Sequence, residues 1–108
     1  MSWRIEYYSE KVSKQVYSLP AGILADNLRI AGLFEEFGVD LGMPHCKALG
    51  RGLFEFRPKG KEGIARVLYC AVVGKKVIVL HCFVKKTQRT PTAELDIARK
   101  RMTEVKNG

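Results

Sequence analysis

The sequence has no run approaching the roughly 18 apolar residues of a membrane span, no internal repeat, and no stretch rich in Ser, Pro or Gly. The first absence excludes a transmembrane helix. The opening MSWRIEYYSEKV also lacks the long apolar core of a signal peptide, so the chain is expected to stay in the cytoplasm, with no membrane partner. Without linker composition, residues 1–108 are expected to form a single domain, long enough for one hydrophobic core without staples. Cysteine is scarce: Cys46, Cys70 and Cys82 are odd in number and show no CxxC spacing, which argues against a disulfide framework or a zinc ribbon. Histidine is scarcer, with His45 and His81 each followed by a cysteine; on a strand such neighbours point to opposite faces, so His81 and Cys82 do not readily share an ion. Neither a metal nor another cofactor is expected.

Acidic residues are short in one half only. Residues 1–50 carry five Lys or Arg against six Asp or Glu, whereas residues 51–108 carry fourteen against five, so the whole surplus of +8 lies in the second half. That asymmetry is the footprint of a domain presenting one face to phosphates, and an acidic protein partner would read the same face.

The basic half is organised around KKVIVLHCFVKKTQRTPTAELDIARKRMTEV, residues 75–105. Val77 to Val84 is apolar on both faces and reads as a central strand. It ends in Lys85 and Lys86, followed by Thr87, Gln88 and Arg89 in a polar loop, where a rigid sheet holds cations and donors toward an anionic partner; solvated lysines at a strand end are the plain alternative. Thr90 is placed to cap a last helix with Pro91 at its first position, and Leu95, Ala98, Met102 and Val105 give that helix one apolar stripe.

Upstream, Trp3, Ile5 and Tyr7 alternate with polar neighbours as a first strand, and Ser9 caps a helix carrying Val12, Val16 and Leu19. Pro20 breaks it. A second helix from about Ala21 to Phe37 shows Leu24, Leu28 and Ala31, widened by Ile30, Leu33, Phe34 and Phe37, with Gly38 as its stop. Val39 to Gly52 reads as a loop. Leu53 to Arg57 forms a short strand with Leu53, Glu55 and Arg57 on one face and Phe54 and Phe56 on the other, and Ala65 to Val73 forms the next, with Arg66 and Tyr69 on opposite faces. The order strand, helix, helix, three strands, helix predicts an α+β domain, its helices against a mainly antiparallel sheet.

GLFEFRPKGKEGIARVLYCAV followed by VIVLHCFVKKTQRTPTAELDIARKRM resembles the HigB-like toxins of the RelE/ParE superfamily, in particular the phage-derived branch. The likeness extends over nearly the whole chain, including the LP break between the helices and GMPHCKAL; FVKKTQRTP and the AxxR spacing at Ala98 and Arg101 are its most specific parts. It implies a RelE-like fold and the toxin half of a type II toxin-antitoxin pair, an mRNA endonuclease acting on translating ribosomes, with a helix-turn-helix antitoxin as partner.

Metal-independent RNA cleavage uses the ribose 2′-hydroxyl as nucleophile, so the protein must orient it, stabilise the phosphorane and assist proton transfer. Arg57 and Arg66 offer planar forks for a phosphate, and Lys85 a compact charge; by position in its strand Arg66 resembles the family's transition-state arginine. His81 completes the catalytic candidates, although a core histidine is the alternative, and the general base stays open between His81, Glu55 and Lys85. Lys59, Lys61, Lys86, Gln88 and Arg89 are candidates for RNA contact, as is Tyr69 for stacking on a base, against ordinary aromatic packing. Two other classes remain: a ParE-like gyrase inhibitor acting through protein contacts, and a non-catalytic RNA-binding module.

Overall fold

Ser9 accepts a hydrogen bond from the Val12 amide at 3.2 Å and so opens the first helix; Pro20, which cannot extend that helix, leads into the second. The computed structural model describes residues 2–86 and 89–108. Its elements are β1 (Arg4–Tyr7), α1 (Glu10–Tyr17), α2 (Ala21–Phe37), a 3-10 turn (Gly38–Asp40), β2 (Cys46–Gly50), β3 (Leu53–Phe56), β4 (Lys59–Gly60), β5 (Gly63–Val72), β6 (Lys76–Lys85) and α3 (Thr92–Asn107). The sheet runs β1-β6-β5-β3-β2, with β4 paired to β5 off that path, and every pairing is antiparallel except β1 on β6. Three helices on a mostly antiparallel open sheet make an α+β domain, as the element order predicts. None of these helices is long and apolar enough to cross a membrane.

Three local expectations need correction. The stretch expected as a loop contains β2, which alternation could not reveal because only Cys46 of its five residues is buried. The apolar stripe of α2 runs through Ile23, Asn27, Ile30 and Phe34, leaving Leu28 and Phe37 exposed; the buried Asn27 hides this phase from a reading that follows apolar residues alone. The last helix begins at Thr92, and Pro91, not Thr90, occupies its cap position, without a side-chain cap. Gly38 ends α2 as expected, at φ 59°, and the Trp3 indole lies where a side chain would project.

The two faces of the sheet carry separate cores. Against one, α1 and α2 pack Val12, Val16, Ile23, Ile30 and Phe34 onto Phe56, Val67, Tyr69, Val77 and Val79. Against the other, α3 lays Ala98 and Met102 over Leu53, Leu68, Cys70, Ile78 and Leu80. β6 holds one more residue than β5 here: Tyr69 pairs with Val79 but Leu68 pairs with His81. Leu80 is therefore the extra residue of a β-bulge, and Leu80 and His81 both face α3. A bulge leaves backbone groups without ladder partners, and Arg101 of α3 supplies one, donating to the Leu80 carbonyl at 2.8 Å while lying over the Tyr8 ring. The Tyr8 hydroxyl in turn donates to Glu104.

Candidate functional site

Beyond the part that α3 covers, the same sheet face turns ionic, and the register dictates which side chains meet there. Glu55 stands opposite Leu68, Arg66 opposite Phe83 and Ile64 opposite Lys85, so Glu55, Arg66, Phe83 and Lys85 share a face; Lys47 of β2 joins them opposite Glu55, and Arg57 follows where β3 ends. At the centre is the Glu55 carboxylate, 2% exposed, with Arg57 Nη1 at 2.9 Å and Arg66 Nε at 3.3 Å from its Oε2. A carboxylate so deep persists only when paired. Its other oxygen has no hydrogen-bond partner. Arg66, 4% exposed, also donates from Nη1 to the Ala65 carbonyl at 2.9 Å, which turns its guanidinium toward the gap where β3 parts from β5.

Burial, and then Arg57, push the Arg66 guanidinium below its ordinary value while Glu55 pulls the other way. Lys85 is lowered as well, first by the burial it has and then by Arg66, with Arg57 and Lys47 adding to the effect and Glu55 opposing it. This is the environment that lets an ammonium release a proton more readily than a solvated lysine does.

Farther along β6, His81 stacks on Phe83 with ring centroids 6.0 Å apart, and its Nε2 lies 2.9 Å from Glu94 Oε1 at the start of α3. His81 Nδ1 is buried without a partner. The bulge thus brings His81 toward the ionic face, where strict alternation from Val77 and Val79 would have sent it to the other side.

The structure gathers Arg57, Arg66 and Lys85, sets His81 two residues from the Arg66 partner Phe83, and separates Tyr69 from all of them. Tyr69 is 3% exposed on the opposite face, stacked 4.2 Å from Phe56 and 5.7 Å from Phe54, with Phe34 edge-on. The expectation that it stacks on a base is therefore corrected: Tyr69 is core. Lys59 and Lys61 lie on or beside β4, where the Lys59 amide donates to Asp26 at 2.8 Å and the neighbouring Glu62 carboxylate accepts from the Gly22 amide at 2.8 Å. Lys86 is exposed just past β6, Arg89 is exposed before α3, and Gln88 lies outside the described residues. Among the described residues no group of three or more His, Cys, Asp or Glu is gathered as a metal site.

Glu94 was missing from the sequence reading, because nothing local signals a partner for His81 thirteen residues downstream across a loop. Lys47 was missing because its strand was. Glu55 was visible as a carboxylate alternating with Arg57, which is the pattern that pairs them.

No curated protein matches the chain. The pattern of one family, described as phage derived protein Gp49-like (DUF891), matches residues 14–103, from α1 through most of α3 and across every strand that builds the ionic face. The chain belongs to the phage derived, Gp49-like family.

Proposed function

We propose that the protein is the toxin of a type II toxin-antitoxin pair, with a RelE-like fold, and that it cleaves mRNA on translating ribosomes. The observation that carries this reading is the convergence of Arg57, Arg66 and Lys85 around the buried Glu55 carboxylate on an otherwise helix-covered sheet. Glu55 fixes the two guanidiniums at short range, so the donors are oriented before substrate arrives. In the cleavage step the ribose 2′-oxygen attacks the adjacent phosphorus, the bond to the 5′-oxygen breaks, and a 2′,3′-cyclic phosphate and a 5′-hydroxyl result. Arg66 and Arg57 donate to the phosphorane oxygens, Lys85 in its uncharged form takes the 2′-hydroxyl proton, and the leaving 5′-oxygen takes one from solvent. Glu94 orients the His81 ring, which with Phe83 forms an aromatic platform beside Arg66. The resemblance to HigB-like toxins implies a helix-turn-helix antitoxin as the partner that restrains this activity.

The test is a defined transcript in a translating extract, with new 5′ ends mapped, run beside a gyrase supercoiling assay. Cleavage that disappears in Arg66→Ala is the expected result. An intact transcript together with inhibited supercoiling would replace this reading with the ParE-like one.

A further inference from the structure

Where β3 parts from β5, a cavity of about 210 Å³ opens between the sheet edge, α2 and the segment leading into β2. Arg57 and Arg66 form one side of it, and Arg29 of α2 and Lys59 bring two more cations to its rim, against one carboxylate, Asp26. Asp26 serves these cations: it accepts from Arg29 at 2.8 and 3.0 Å and from the Lys59 amide at 2.8 Å, which fixes the Arg29 fork and the start of β4. Burial raises the Asp26 carboxyl, but those two donors outweigh it and hold the group ionised below its usual range. His45 lines the same cavity. The remaining wall is apolar, made by Ile30, Pro44, Met43 and Ile64, and the last two are 61% and 42% exposed with no apolar cover among the described residues.

Four cations facing an apolar shelf suit a ligand that is itself half anion and half aromatic ring. Drug-sized sites measure about 300–1,000 Å³, so this smaller space admits one unit of a polymer rather than a whole separate ligand. We propose that the cavity is a nucleotide subsite: it takes one phosphate of the RNA chain on Arg29, Lys59 and Arg57, and the attached base on Met43 and Pro44. The inference rests on the RNA-cleavage reading and deepens it. It explains how Arg66, almost wholly buried on the open sheet face, is reached: substrate enters from the edge, and the nucleotide seated under α2 brings the neighbouring phosphate to the guanidinium. Ring stacking and phosphate contacts together are the usual means of holding single-stranded RNA.

The experiment is titration of the purified protein with a nucleoside 3′,5′-bisphosphate, followed by calorimetry and by amide shifts. Saturable binding is expected, weakened at least tenfold in Arg29→Ala and severalfold in Met43→Ala, and unchanged in Lys14→Ala on the exposed surface of α1. Arg29 is half exposed, so its truncation leaves the core in place. Binding that is equal in Arg29→Ala and the unaltered protein would overturn the subsite, as would saturable binding of an acidic peptide with none of the bisphosphate. The two failures separate cleanly: Arg29-dependent bisphosphate binding without any transcript cleavage sinks the nuclease reading and leaves the subsite, whereas Arg66-dependent cleavage with no Arg29-dependent binding does the reverse.

Discussion

Along β3 and β5, consecutive residues belong to different worlds. Phe54, Phe56, Val67 and Tyr69 enter an aromatic core closed by two helices, while Glu55, Arg57 and Arg66, alternating with them, enter an ionic cluster that α3 leaves uncovered. The apolar face even retains a cavity of about 170 Å³ against Phe34, Phe54 and Tyr69, yet nothing charged lines it except Lys47. Stability and chemistry thus share strands but not faces, and neighbouring substitutions should produce different kinds of loss.

The strongest way to break that division is at Phe34, where three aromatic rings meet. Phe34→Ala should cost about 3–5 kcal/mol of unfolding free energy, read from the denaturant midpoint, with activity falling only as the folded fraction falls. Arg66→Ala should do the opposite, lowering the cleavage rate about 100- to 1,000-fold, roughly 3–4 kcal/mol in the barrier. Because Arg66 also neutralises Glu55, Arg66→Lys is the control: it keeps the charge and the fold but loses the fork, and should recover only part of the rate. A variant in which stability and rate fell in step would erase the distinction between the faces.

Arg101→Met sharpens the comparison from the covered end. It removes the donor to the Leu80 carbonyl and should cost about 1–3 kcal/mol, with hydrogen exchange rising first around residues 79–82.

Acid supplies a smaller effect. Asp26 and Glu62 are held below their ordinary values of 3.8 and 4.5, Asp26 by the Lys59 amide and Arg29 against the effect of burial, Glu62 chiefly by the Gly22 amide. Groups with folded values below the unfolded ones stabilise above the unfolded value and lose that contribution as pH falls through the folded one. Asp26→Asn should therefore cost about 1 kcal/mol at neutral pH, a difference that fades in thermal melts as pH falls below about 4. The smallest change expected is in Lys86→Ala, which should reduce the dependence of log affinity for RNA on log salt by about 0.7 and leave cleavage chemistry intact.

Much of the ionic face was legible because period-2 alternation is a local property: Glu55 and Arg57 had to oppose Phe54 and Phe56, and Arg66 had to oppose Tyr69. Which face would be covered was not local, so Tyr69 looked as eligible for a ligand as Arg66 until three neighbouring rings enclosed it. An edge strand such as β2, buried only at Cys46, has too little apolar signal to show itself. The phase of α2 was obscured by one buried asparagine. The nucleotide cavity depends on α2, β4 and the residues before β2 meeting at a sheet edge, an encounter written in tertiary packing rather than in spacing.

The extra residue in β6 turns the location of Phe83 and Lys85 into a question of odd or even length. Remove one of the two residues between Val79 and Cys82, and the bulge closes into a regular strand, with Cys82 still facing α1 and α2 and with Phe83 and Lys85 still on the ionic face. Remove both, and everything downstream changes sides: Cys82 and Val84 would turn to the ionic face, and Lys85 would be driven toward the α1 and α2 core. Loss of one residue here should therefore be tolerated and loss of two should not, so that the chain's arithmetic, more than the identity of any residue at the bulge, decides whether a lysine stands beside Arg66.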